Sequence, residues 1–228
     1  MDRQPASDKT PVLWHGYEVI AKGANRVCVI DPENTSRCLK FDLPAQEAKG
    51  GRANRWRRFR GEVFPKLALN HIEWRAYQKC LSIAGQSLHN YVATCFGLRH
   101  TPHGKALSSE IVLNSDGSIA KPIYTYFDQP TSIDYLDLLD ALDELQHFLL
   151  RHKIPLFDLN SGNLLVLHCA TGRIRVKCID VKSVGQNKEL IPFSRWLVGA
   201  MRSKIKRRIE RLKQLITIKM AQKSPENA

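Results

Sequence analysis

No apolar run in the sequence approaches the roughly 18 residues that a helix needs to cross a bilayer, and no two of its six cysteines stand as Cys-x-x-Cys. The first absence removes the expectation of a membrane-spanning helix. The second, in a chain of 228 residues whose core needs no covalent staple, points to reduced and mostly buried thiols. Cys95, His100 and His103 come close together without a fourth ligand, so zinc is not expected there. Thirteen glycines and eleven prolines are too few for a collagen-like or low-complexity chain. Residues 1–10 are polar with no apolar segment behind them, so they read as a disordered tail and not as a secretory leader. What remains, 43% apolar and 25% charged, is the make-up of a folded protein of one or two domains, expected in the cytoplasm.

Acid is also scarce. Asp and Glu number 22 against 35 Lys and Arg, a formal charge of +13. Residues 194–228 hold ten basic and two acidic side chains, a balance of +8 that leaves only +5 for the rest. A second cluster, Lys49, Arg52, Arg55, Arg57, Arg58 and Arg60, contains no acid. Positive charge gathered in this way attracts phosphate-bearing or otherwise anionic partners through its field. An anionic partner at Arg52–Arg60 or at the C-terminal helix is therefore one expectation, and a solvated helix face with a basic surface loop is the other.

Local patterns outline the elements. Residues 12–21, 27–30 and 37–42 carry β-formers separated by Lys22-Gly23-Ala24-Asn25-Arg26 and by Asp31-Pro32-Glu33-Asn34-Thr35-Ser36, which predicts an antiparallel meander. Residues 44–61 read as a loop and 62–83 as a helix. Strands are expected at 92–98 and 108–113, with a turn at 114–117. Ser132 is the predicted cap of a helix over 133–152, whose stripe is Ile133, Leu136, Leu139, Leu142, Leu145 and Leu149. An apolar-flanked stretch over 156–167, a turn at 169–172 and a strand over 174–179 follow. The chain closes with a basic amphipathic helix over 194–220. The fold class expected is α+β, with a β-rich first half and a mostly helical second half.

The most informative stretch is Ile154-Pro155-Leu156-Phe157-Asp158-Leu159-Asn160-Ser161-Gly162-Asn163. Asp158 and Asn163 stand five apart just before an apolar strand, and the next strand delivers Asp180. Phosphoryl transfer depends on positioning and charge neutralisation. One carboxylate orients or deprotonates the acceptor hydroxyl, while an amide oxygen and a second carboxylate hold Mg²⁺ against the phosphates of ATP. Asp158 is thus the candidate base, and Asn163 and Asp180 are the candidate metal ligands. Upstream, Lys40 ends the third strand, where it can contact nucleotide phosphates. Glu73 follows in the next helix as its partner, with Glu62 as a competitor for that role. Gly23, in the first hairpin, lets backbone approach a phosphate or simply turns the hairpin. Each residue alone has an ordinary reading, as a turn former, a strand end or a snorkelling lysine. Their order along the chain is what points to a nucleotide site.

At these residues the chain resembles the YrbL family, bacterial proteins of the PhoP regulatory network grouped with kinase-like folds. The likeness covers almost the whole length. It includes the Gly23 hairpin, Arg37-Cys38-Leu39-Lys40, the Glu73 helix with Tyr77, and the 17-residue step from Asn163 to Asp180. The resemblance implies a two-lobed protein-kinase-like fold with ATP between the lobes. Residues 11–113 would form a small antiparallel N-lobe, and 114–228 a reduced C-lobe ending in the basic helix. It says little about the phosphoryl acceptor.

The sequence departs from protein kinases where Leu156-Phe157 replaces His-Arg and where Asn160 replaces a lysine. Val181-Lys182 replaces Phe-Gly, and only 48 residues follow Asp180. The expected activity is an atypical or small-molecule phosphotransferase. The alternative is a catalytically weak pseudokinase acting as a nucleotide- or partner-binding regulator.

Overall fold

The structure, a computed structural model, describes residues 12–43, 68–127, 133–184 and 198–221. The terminal tail, the arginine cluster at 52–60, Glu62, Ser132 and Trp196 lie outside the described residues. Two compact units emerge, one of Met1–His71 with Phe96–Glu110 and the other of Ile72–Cys95 with Ile111–Ala228. The segment 72–95, expected with the first half of the chain, groups with the second unit. Long-range pairing ties its end there: Cys178 N–H donates to the Tyr91 carbonyl at 2.8 Å and Ala93 N–H donates to the Cys178 carbonyl at 2.9 Å.

The first unit is built on a sheet of order β1-β2-β3-β4-β6-β5. Its strands are β1 (Leu13–Trp14), β2 (Tyr17–Lys22), β3 (Arg26–Ile30), β4 (Arg37–Asp42), β5 (Cys95–Thr101) and β6 (Gly104–Glu110). The predicted meander is present, but its first strand is cut in two by a His15-Gly16 turn with φ of 49° and 83°. The strand expected at 92–98 begins at Cys95, because Tyr91–Ala93 are already paired with Cys178. A tight hairpin that the sequence reading missed then returns the chain as β6. Gly104 supplies its left-handed φ of 103°, and Thr101 Oγ1 donates to the Gly104 carbonyl at 2.8 Å.

Alternation along β4 puts Leu39 and Phe41 into a core with Val27, Val29, Leu43 and Ala106, against which Trp14, Tyr17 and Val19 pack. Cys38 and Lys40 take the other face. The buried Asp31 carboxylate is held by the Arg99 guanidinium at 2.8 and 3.0 Å.

The second unit combines α1 (Leu69–Ala84), most of which belongs to it, α2 (Tyr135–Arg151), α3 (Val198–Ala221) and a small antiparallel sheet. That sheet has the order β7 (Lys121–Pro122), β8 (Leu164–His168), β9 (Ile174–Cys178). Helix α2 buries Leu138, Ala141, Leu142, Leu145, Phe148 and Leu149 at helical spacing. It starts two residues later than predicted. The cap is Asp134, whose side chain accepts the Leu136 N–H at 2.8 Å, and an acidic cap suits the positive end of a helix. Helix α3 buries Met201, Ile205, Ile209, Leu212 and Ile216 and exposes Arg202, Lys206, Arg207, Arg208, Arg211 and Lys219. Lys213 of α3 pairs with Asp143 of α2 at 2.5 Å. Among the described residues no helix is long and apolar enough to cross a membrane.

Candidate active site

The loop that carries Asp158 is set up by the end of α2. Lys153 takes a left-handed φ of 54°, and Ile154 N–H reaches back five residues to the Leu149 carbonyl at 3.0 Å. This Schellman-type ending reverses the chain and buries Ile154, Pro155 and Leu156. Leu159 and Leu164 are buried as well, at 4% and 0% exposure. Apolar anchors therefore flank the polar residues, and Asp158, Asn160 and Asn163 are left outside the core.

Within the loop, hydrogen bonds fix which atoms remain available. Asn163 Nδ2 donates to the Asp158 main-chain carbonyl at 3.0 Å. With its nitrogen so committed, the amide turns its oxygen to the other side, as an acceptor of the kind that hard cations take. The Asn163 carbonyl accepts Ile179 N–H at 3.0 Å, which ties the loop to the residue before Asp180. Asp180 is 5% exposed and accepts Lys182 N–H on Oδ1 at 3.0 Å, while the Lys182 ammonium pairs with Oδ2. Asp158, Asn163 and Asp180 are thus held on one hydrogen-bonded loop and hairpin of the second unit. Asn163 and Asp180 offer oxygens of the type that Mg²⁺ takes, so the donor set fits that ion.

The side chain that organises the loop is Asn160, read from sequence only as the replacement of a lysine. Its Oδ1 accepts the N–H groups of Gly162 at 2.9 Å and Asn163 at 3.1 Å, and its Nδ2 donates to Asp158 Oδ1 at 3.1 Å. A Cβ on Gly162 would stand 3.3 Å from that Oδ1, tight enough to explain a glycine without any need for positive φ. The Asn-x-Gly pattern is a turn signal that sequence reasoning had in hand and did not use. Phe157 donates its N–H to Ser183 Oγ at 3.3 Å. Its ring lies 4.2 Å from the Lys204 ammonium of α3.

Lys40 lies on β4 between Cys28 of β3 and Leu107 of β6, and is 8% exposed. Its carbonyl accepts the Asn70 side-chain amide at 2.8 Å. Glu73, in α1, is 1% exposed. Gly23 closes the β2–β3 hairpin, its N–H donating to the Arg26 carbonyl at 2.9 Å. Its φ is not in the left-handed region, and an added Cβ would meet only the Arg26 carbonyl oxygen at 3.7 Å. Residues 110–113 carry the buried Ile111 and Val112, and the Val112 carbonyl accepts Ala120 N–H at 2.9 Å.

Residues 13–216 match the family described as PhoP regulatory network protein YrbL. The chain belongs to the YrbL family. As with the family assignment, the antiparallel-sheet-rich first part and helical second part follow the α+β class read from sequence.

Among solved structures, this YrbL-family chain is similar to crystal structures of the kinase domain of Mycobacterium tuberculosis PknI. To a point mutant it is 12% identical with a TM-score of 0.42, covering 78% of this chain and 64% of that one. To the kinase domain itself it is 14% identical with a TM-score of 0.40, covering 77% and 63%. To a double mutant it is 14% identical with a TM-score of 0.43, covering 81% and 68%. The chain therefore spans less than two thirds of the first two domains. Comparison with curated proteins finds no match.

Proposed function

We propose that this chain is a kinase-like, ATP- and Mg²⁺-dependent phosphotransferase acting on a hydroxyl acceptor. One observation carries the reading: the bond from Asn163 Nδ2 to the Asp158 carbonyl, which commits the amide nitrogen and leaves the oxygen as the acceptor end of that side chain, on the loop tied to Asp180. In this reading Asp158 takes the proton of the acceptor hydroxyl, and Asn160 holds its carboxylate in place for that step. Asn163 Oδ1 and the Asp180 carboxylate hold the metal. Lys40, on β4 of the first unit, is the ammonium that its place in the sequence order assigns to the nucleotide phosphates. Gly23 has no observation in its favour beyond its hairpin. When bound, Mg²⁺ draws charge off the phosphoryl oxygens and so lowers the barrier to attack.

The test is a thermal-shift titration with ATP and Mg²⁺ together. The wild type is expected to be stabilised, and Lys40→Ala and Asp180→Asn are expected to lose that stabilisation while keeping the wild-type circular dichroism spectrum. Absence of any stabilisation at millimolar nucleotide sinks the reading. Transfer from γ-labelled ATP to a mixture of small-molecule hydroxyl compounds, lost in Asp158→Asn, then identifies the acceptor class.

A second reading is favoured by the ammonium on Asp180 and by Phe157 in the place of an arginine. It makes the chain a pseudokinase that binds nucleotide and signals without turnover. Nucleotide-dependent stabilisation with no transfer and no ATP hydrolysis selects it.

A further inference from the structure

Asp180 and Lys182, two positions apart, are joined twice. The carboxylate receives the Lys182 main-chain N–H on one oxygen and the Lys182 ammonium on the other. A carboxylate this deeply buried needs a counter-charge, and Lys182 supplies one within a single turn of chain. The backbone of that turn is anchored. Val181 and Val184 are each 1% exposed, Val184 N–H donates to the Val181 carbonyl at 2.9 Å, and Ser183 Oγ accepts Phe157 N–H. The lysine side chain is less confined, with 21% of its surface exposed against 7% for the Asp180 side chain. It can swing toward solvent without disturbing Val181 or Val184.

A divalent cation on Asp180 needs the same carboxylate oxygens, and an ammonium held there occupies lone pairs and repels a second positive charge. We propose that Lys182 is an internal cation that holds Asp180 in the metal-free protein, competes with the divalent metal for it, and thereby weakens metal binding. This rests on the reading of Asn163 and Asp180 as metal ligands. Lys182 acts through Asp180 and is a positioning residue. Its competition makes occupancy of the site depend on the concentration of free divalent ion, so the protein passes from a lysine-closed to a metal-open state as that concentration rises.

The experiment measures Mn²⁺ binding to the full chain by electron paramagnetic resonance of the free ion, without nucleotide, together with melting in chelator and in excess Mn²⁺. Lys182→Met is expected to bind Mn²⁺ about tenfold more tightly than the wild type. It should also melt lower than the wild type in chelator, where Asp180 has lost the Lys182 ammonium, and gain more from Mn²⁺. Lys182→Arg, which keeps the positive charge, should follow the wild type, and Asp180→Asn should bind weakly. If Lys182→Met binds no more tightly than the wild type while Asp180→Asn loses binding, the metal site stands and the competition is overturned. If neither the wild type nor Lys182→Met binds Mn²⁺, the metal-ligand reading falls, and this proposal with it.

Discussion

Asn160 donates its side-chain amide to Asp158 Oδ1 at 3.1 Å, so the carboxylate proposed as base is aimed by a neighbour two residues on. The same side chain caps the N–H groups of Gly162 and Asn163. Asn160→Ala removes these three bonds and the weaker one from Asn160 Nδ2 to the Asp158 carbonyl at 3.4 Å. The expected cost is about 1–3 kcal/mol in stability, with loss of phosphotransfer. Asn160→Asp separates the two roles. Its oxygens still accept from Gly162 and Asn163, so the fold holds, but a carboxylate now faces Asp158 in place of a donor. Chemical denaturation and transfer assays on the pair check this: near-wild-type stability with depressed kcat in Asn160→Asp is the expected result. Equal loss of stability in both variants would remove the aiming role.

Gly162→Ala is expected to act through the same contact. Its Cβ would press on Asn160 Oδ1 from 3.3 Å, and the give has to come from the bonds that hold Asp158. A small change in melting temperature with a larger fall in turnover is the outcome to look for.

Lys153 occupies the left-handed position that ends α2, where a side chain is strained and glycine is not. Lys153→Gly is expected to stabilise, because relief of about 1–2 kcal/mol of left-handed strain outweighs the extra freedom of the unfolded chain, about 0.4–1 kcal/mol. Urea denaturation measures it. A loss of stability would show that Lys153 contributes through its side chain.

These positions also show how far the residues alone could lead. Turns written in Asp, Asn and Gly were legible. Residues 114–117 close as expected, with Gly117 N–H on the Asn114 carbonyl at 3.0 Å. The order of Asp158, Asn163 and Asp180 along the chain was legible too, and those three share one loop and hairpin. Strand ends were less so, because β5 starts at Cys95 only after Tyr91–Ala93 have paired with Cys178, a partner 85 residues or more away in sequence. The cap of α2 shifted from Ser132 to Asp134, since either residue type satisfies the same rule. The roles of Asn160 and Lys182 were hidden for a different reason. Both were read against what a protein kinase carries at those places, and not by the local bonds that an asparagine or a lysine two residues from an aspartate makes.

Cys80 carries a pH dependence of stability. Burial, opposed by Lys79 and assisted by Cys95, raises its thiol from an ordinary 9.0 to about 12. The native state keeps the proton through a range in which the unfolded chain releases it. The stabilising contribution is therefore complete below about pH 9 and falls away as pH rises toward 12. Its slope reaches about 1.4 kcal/mol per pH unit for one proton. Cys80→Ala loses packing at pH 8 but lacks this titration, so its stability gap from the wild type should narrow between pH 8 and pH 10.5. Denaturation curves across that range test the assignment, and a constant gap would refute it.

The last helix separates packing from charge. Ile209 is 1% exposed on the face of α3 that also buries Ile205, Leu212 and Ile216, while Arg207, Arg208 and Arg211 point outward. Ile209→Ala leaves a cavity and is expected to cost about 2–5 kcal/mol. Replacing the three arginines by glutamine removes only exposed charge and should change stability by about 0.5 kcal/mol or less. If the outward face also binds an anionic partner, the triple variant loses that binding and flattens its salt dependence with the fold intact. Denaturation of both proteins, followed by binding to heparin over a salt series, distinguishes the roles. A large destabilisation by the arginine replacements would show that α3 uses its basic face to hold the unit together.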